Sequence, residues 1–402
     1  TPQLVPSLER FFKQSIVDAT PSVQVAALLC CTKLPADVVQ RFVPEVSTCF
    51  DSPNALVQYH ATRLFLTIKQ ADVHALIRFA TTKGPTLKSY AQQEILRAVP
   101  RLAARTSNTA PLTQFVLNSA SNATDTVALQ AVQTLAELRD AASLRKLLPR
   151  IRRLLASTQT PAVFGTVRVV GELADALPEI VAELRTDLEA LLKHPNRAVV
   201  TLAASAALRV ATEDTIEKLL HKVQKFIATL PDTFRVQVLR TIEQIAAKYP
   251  GKHTALLQFL GELLPLKGLT FKNAVIDTML AIRAASPELT TTMLTTLAAL
   301  IEDCPYTQTV QRIVGILGEF GPVAENPTSA MRAIYNRFVL EGAAVRAACV
   351  SALARFAAAP DGSEKVATMM RKCALDENEE VRSRAAFFLA CHVAGPCPTD
   401  AY

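Results

Sequence analysis

AVRAACVSALARF, residues 344–356, sets Cys349, Leu353 and Phe356 four, eight and eleven positions beyond Val345. These offsets lie on one face of an α-helix, whereas a half-buried strand would alternate at every second residue. The same spacing recurs outward along the chain. Phe271, Val275, Met279 and Ile282 carry it, as do Phe234, Val238, Ile242 and Ile245. Val200, Ala204, Leu208 and Ala211 continue it, then Val127, Ala131, Leu135 and Leu138, then Val57, Ala61, Phe65 and Ile68. Weaker matches start at Val23, Leu87, Val163, Thr309 and Val381, so eleven anchor helices are expected. Their mean spacing of about 36 residues falls within the range of helical solenoid repeats.

Second apolar helices are expected between the anchors, for example over Asp37–Phe50, Ser143–Leu155, Thr215–Leu230, Glu288–Ile301 and Met331–Leu340. Each repeat is then a helix pair. A lone pair cannot bury its apolar face, so neighbours stack and share a core. Small residues at the fourth offset let helices approach closely. The segments Asp51-Ser52-Pro53-Asn54, His194-Pro195-Asn196 and Asp376-Glu377-Asn378 supply N-cap chemistry ahead of three anchor helices. Gly84-Pro85, Pro250-Gly251, Gly268 and Gly321-Pro322 punctuate the pattern. The fold class is all-α: a HEAT/armadillo-like α-α superhelical solenoid of about eleven helix pairs. Residues 1–392 are expected to form one helical-repeat domain, and 393–402 a short disordered tail. The chain opens and closes on helical pattern, as a fragment of a longer protein would.

Composition limits the function. No apolar run is long enough to span a bilayer, and Thr1–Phe12 lacks the basic start and apolar core of a signal peptide. The eight cysteines form no C-x-x-C pair and mostly fall on apolar stripes, which fits small hydrophobes in a reducing, cytosolic or nuclear compartment. Residues 1–212 carry 23 Lys and Arg against 16 Asp and Glu, while 213–402 carry 20 of each. The excess of positive charge suits an acidic partner or an anionic membrane surface, or is simply solvated helix face.

A search for reactive groups yields no convergent set, so no enzyme, metal or cofactor is expected. None of the six histidines is followed by glutamate, and no H-E-x-x-H motif is present. Cys391, His392 and Cys397 match no standard zinc spacing. Gly315, Gly318 and Gly321 fall inside a helical segment with no preceding strand, so they read as small packing residues rather than a phosphate loop. The Asn122-Ala123-Thr124 sequon has no meaning in a cytosolic protein. The absence of tryptophan and of a basic stripe interleaved with aromatics argues against nucleic-acid binding.

Several segments together resemble one family. They include LERFFKQSIVDATPSV at 8–23, LVQYHATRLF at 56–65, NRAVVTLAASAAL at 196–208 and KYPGKH at 248–253. Ile301–Cys304, Ile334–Glu341, residues 344–356 and EVRSRAAFFL at 380–389 follow in the same order. This run resembles the gamma subunits of coatomer, the COPI vesicle coat, within the adaptor large-chain family. The resemblance implies a cytoplasmic trunk, peripheral on Golgi membranes and vesicles, that serves Golgi-to-ER and intra-Golgi transport. It implies the small zeta-COP subunit, beta-COP/delta-COP and a GTP-bound Arf-family GTPase as partners, the last with a site partly or wholly outside this stretch. Another HEAT-repeat scaffold is the alternative: a clathrin-adaptor chain, a nuclear transport receptor or a phosphatase scaffold.

Partner contacts are expected on anchor faces opposite the apolar stripe, on the concave side of the superhelix. Tyr59 and Arg63 point away from Val57, Ala61 and Phe65 and are candidates, although Tyr59 also suits packing against the next repeat. Arg145, Arg150 and Arg153, in the densest basic run, are further candidates, or one polar face of a repeat helix.

Overall fold

The computed structural model describes residues 5–122, 124–359 and 362–394. Ala123 of the sequon, Cys397 and the tail from residue 395 onward lie outside these residues. The described residues are helical throughout, joined by short turns and 3₁₀ segments, with no strand among them. Close contacts group the helices into two compact units, Thr1–Val210 and Ala211–Tyr402.

In the first unit, α1 (Val5–Ile16) pairs with α2 (Pro21–Cys31), and α3 (Ala36–Val39) with α4 (Val43–Thr48) precede α5 (Ala55–Ile68). Then come α6 (Val73–Thr82) and α7 (Ser89–Ala103), α8 (Ala110–Asn122) and α9 (Asp125–Leu138), and α10 (Ala141–Leu155) and α11 (Thr160–Ala176). The short α12 (Pro178–Ala182) and α13 (Arg185–Ala190) precede α14 (Arg197–Arg209). The second unit holds α15 (Glu213–Ile227) with α16 (Asp232–Lys248), and α17 (His253–Leu263) with α18 (Leu269–Ala285). It continues with α19 (Thr290–Asp303) and α20 (Thr307–Phe320), α21 (Pro327–Leu340) and α22 (Ala343–Arg355), and α23 (Gly362–Cys373) and α24 (Glu379–Ala394). The second helix of each pair is an anchor helix, and successive anchors pack side by side: α5 on α7, α7 on α9, α16 on α18, α20 on α22.

The stripe residues form the core. Val57, Ala61, Val127, Ala131, Phe271, Val275, Val345 and Cys349 are fully buried. Val23 itself departs from the pattern: it is 40% exposed, while Ala27 and Cys31, at its fourth and eighth offsets, are buried together with Leu28. Asn54, Asn196 and Asn378 cap their helices as the sequence implies. Asn54 Oδ1 accepts from Leu56 N at 2.9 Å, Asn196 Oδ1 from Ala198 N at 2.9 Å and Asn378 Oδ1 from Glu380 N at 3.0 Å.

Two prolines show how local chemistry and neighbours compete. The sequence reads Asp37–Phe50 as one helix, but the structure breaks it into α3, a 3₁₀ turn at Gln40–Phe42, and α4. Pro44 is the cause: it lacks the N–H, and its ring crowds the carbonyl of Gln40. Pro100 lies inside α7 yet leaves it intact. The carbonyl it orphans is that of Leu96, and the Thr134 hydroxyl of α9 donates to that oxygen at 3.0 Å in a buried setting. The neighbouring repeat thus brings a hydroxyl to the freed carbonyl, one it shares with Gln130 O of its own helix at 2.8 Å.

Other bonds span neighbouring repeats in the same way. The buried Gln58 side chain donates to Ser52 O at 2.8 Å and accepts from Lys88 N at 2.8 Å. Tyr249 Oη donates to Ala211 O at 3.0 Å, and Tyr306 Oη accepts from Gly268 N at 3.2 Å. Gly268 has φ +126, and a side chain there would collide with Asp232, so glycine is required. The three glycines of α20 and its end differ. A Cβ at Gly318 would lie 2.7 Å from Ala352 Cβ and 2.8 Å from Ala352 Cα, and one at Gly321 would lie 2.5 Å from the Phe356 ring. These two permit close packing. Gly315 meets nothing within 4 Å and faces an open recess of about 390 Å³.

Two stability predictions follow from these contacts. Thr134→Val removes the hydroxyl shared by the Leu96 and Gln130 carbonyls and is expected to cost about 1 kcal/mol in denaturant unfolding, whereas Thr134→Ser retains most of it. Gly318→Ala is expected to destabilise by about 1–3 kcal/mol because the Ala352 backbone cannot yield. Gly315→Ala, with open space and better helix propensity, should stabilise by about 1 kcal/mol. Equal effects at the two glycines would refute the packing argument.

Candidate functional site

The face of α5 that points away from the stripe carries Tyr59 and Arg63, as its spacing implies. Tyr59 is half-buried and Arg63 exposed. Both line a cleft of about 850 Å³ between the C-terminal halves of α5 and α7. Leu76 and Leu102, nearly buried, and Leu66 form its apolar floor. Arg97 and Arg101 enter from α7, and Arg105 from the turn beyond it. Glu94 is the one acidic residue on the wall. Residues 52–124 carry eight Lys and Arg against two acids, Asp72 and Glu94, so this region holds most of the chain's net +7.

Each arginine is held differently. Arg97 is anchored by its own repeat and the next: Nη1 lies 2.8 Å from Glu94 Oε1, and Nε donates to Gln130 Oε1 of α9 at 3.1 Å. Arg105 is pinned to the preceding turn, donating to Gln70 O at 2.6 Å and Ala71 O at 3.4 Å. Arg63 and Arg101 are exposed, with no guanidinium partner among the described residues. The Tyr59 ring packs edge-on against His60, their centroids 4.9 Å apart. Burial and the Arg63 charge hold the His60 imidazole below its ordinary value. The cleft is a positive recess over an apolar floor.

The basic run of α10 lies elsewhere in the same unit. Arg145 Nη2 lies 3.0 Å from Glu179 Oε2, and Arg152 Nε lies 3.5 Å from Asp187 Oδ2. Arg150, with only 13% of its side chain exposed, lies 3.3 Å from Asp125 Oδ1 and ties α10 to the start of α9. Arg153 is exposed. The structure thus groups Tyr59 and Arg63 in one cleft, and does not bring Arg145, Arg150 and Arg153 to it. Arg97, Arg101 and Arg105 escaped the sequence reading. The signal was there: Arg97 stands 34 residues after Arg63, about one repeat, and Arg101 and Arg105 follow at single helical turns.

Several other reactive side chains are buried in the core. His253 is buried, with Nδ1 2.6 Å from Ser286 Oγ and Nε2 2.8 Å from Ala246 O. Burial pushes the thiols of Cys31 and Cys349 up to about 12 and those of Cys49 and Cys373 up to about 11, so they remain protonated hydrophobes. Among the described residues no group of three His, Cys, Asp or Glu side chains is placed to hold a metal, and no helix is long and apolar enough to cross a membrane.

Comparison with known proteins places this architecture. Residues 1–394 match the adaptin N-terminal region family. The chain is 33% identical to coatomer subunit gamma-2 of Takifugu rubripes over 398 residues, covering 96% of this chain and 46% of that one. It is 33% identical to human coatomer subunit gamma-1 over 400 residues (96% and 45%), and 32% identical to the coatomer subunit gamma of Drosophila melanogaster over 403 residues (96% and 46%). It therefore spans about half the length of these relatives. Among structures, a homology model of the full-length AP-3 complex superposes with a TM-score of 0.63 at 11% identity, over 98% of this chain and 79% of that one. Kap121p bound to Ste12p superposes with a TM-score of 0.56 at 12% identity, over 90% and 41%. At such identity these two show the fold alone, an adaptin- and karyopherin-like stack of helical repeats. The chain belongs to the adaptin N-terminal region family, and the coatomer gamma subunits are its relatives there.

Proposed function

We propose that this chain is trunk of a COPI coat subunit, a scaffold that holds other proteins rather than an enzyme. The observation that carries the reading is the identity to coatomer gamma subunits, about one residue in three along 96% of the chain. On this reading the helical pairs hold the small zeta-COP subunit, and the trunk pairs with a beta-COP/delta-COP half. A GTP-bound Arf-family GTPase recruits the assembly to Golgi membranes, where it serves Golgi-to-ER and intra-Golgi transport from the cytoplasmic side. The chain itself contributes helical repeats whose anchor stripes are consumed by the core of each unit. Partner contact is left to the exposed faces, Tyr59 and Arg63 among them; of the α10 arginines, Arg153 offers the least encumbered side chain.

Co-expression with a zeta-COP subunit is expected to yield a soluble complex of one chain each, stable through size-exclusion chromatography. Failure to form that complex, together with capture by a nuclear-transport GTPase or a phosphatase catalytic subunit, would assign the chain to another scaffold class.

A further inference from the structure

We propose that the α5/α7 cleft binds an acidic, extended peptide segment of a partner protein that carries an apolar or aromatic side chain among its carboxylates. Four observations converge on it. The walls carry four arginines and a single acid, Glu94. Arg97 and Arg101 stand one turn apart on α7, a spacing at which like charges repel by a few tenths of a kcal/mol, and Arg105 follows in the turn beyond; Glu94 answers Arg97 alone. Two of the four, Arg97 and Arg105, are already oriented by Glu94, Gln130 and the Gln70 carbonyl, while Arg63 and Arg101 keep their guanidinium forks open for carboxylates. The floor is apolar, with Leu76 and Leu102 beneath the arginines and Tyr59 at one end.

This combination selects among anionic ligands. The recess, of a size typical of ligand clefts, lies between two helices and accepts an inserted side chain; a planar lipid surface meets protruding charge instead and makes no use of an apolar floor. Single-stranded nucleic acid calls for several stacking rings, and Tyr59 is the only aromatic residue lining the cleft. An acidic peptide uses both features: carboxylates pair with Arg63 and Arg101, and an apolar side chain rests on Leu66, Leu76 and Leu102. From the scaffold reading the proposal takes only that Tyr59 and Arg63 face a partner.

The test is fluorescence anisotropy of the full chain with a labelled peptide of alternating Glu and Asp around one Phe. The same peptide with Gln and Asn in place of the acids, and vesicles rich in anionic lipid, serve as comparisons. Saturable binding of the acidic peptide is expected, weakening as salt screens the arginines. Arg63→Gln/Arg101→Gln should weaken it at least about tenfold, and Tyr59→Ala should weaken the Phe-bearing peptide more than a Phe-free one. Arg145→Gln/Arg153→Gln, distant from the cleft, should leave it unchanged. Absence of saturable binding, equal loss in the two double variants, or vesicle binding that depends on Arg63 and Arg101 while the peptide fails to bind would each overturn the proposal. Circular dichroism and thermal unfolding verify that each variant is folded. Formation of the zeta-COP complex by the unaltered chain separates failure of this proposal from failure of the coat assignment.

Discussion

The structure depends on the close approach of successive anchor helices. No helix pair buries its own apolar face, so each stripe is completed by the next. That approach needs small residues where backbones meet and donors where a neighbour lacks one. Gly318 against Ala352 shows the first requirement, and the Thr134 hydroxyl on the Leu96 carbonyl shows the second. At Pro100 a hydroxyl of α9 reaches the freed carbonyl, while Pro44 breaks its helix. Secondary structure here is settled partly by the adjoining repeat.

The same constraint sorts surface from core. Once the stripe of an anchor helix is consumed by packing, its opposite face is free to carry charge. In α5 and α7 that face carries Tyr59 and the arginines, and Gln130 of α9 fixes the direction of Arg97. The cleft is therefore a by-product of stacking, with its electrostatics set by the scarcity of acids between Asp51 and Asp125. In α10 the outcome differs. Arg145, Arg152 and Arg150 are answered by Glu179, Asp187 and Asp125 from neighbouring helices, and such pairs contribute mainly to register between helices.

Much of this was legible in the sequence, because offsets of four, eight and eleven carry burial directly: Val345, Cys349, Leu353 and Phe356 are all fully buried. The asparagine caps were legible for the same local reason. Val23 misled because a stripe position in the first turn of α2 remains open to solvent. Charge was harder to read. The dense run at 145–153 stood out, yet its neutralising acids lie 25 to 35 residues away in sequence, where local inspection does not reach. Arg63, Arg97, Arg101 and Arg105 are sparse in sequence and converge only when α5 and α7 pack. The off-stripe position of Tyr59 and Arg63 was legible locally; that of the other three needed the repeat period applied to charge as well as to apolar residues.

On the proposed reading, the core of each unit is complete without partners, and the exposed faces receive them. Hydrogen exchange of the chain alone and in complex with a zeta-COP subunit tests it most directly. The account predicts that α5, α9, α18 and α22 are strongly protected in the free chain. Binding should add protection over a contiguous set of neighbouring repeats without a global change. Weak protection of these helices in the free chain, or protection gained throughout on binding, would mean that the stack folds only on its partner and would contradict the account.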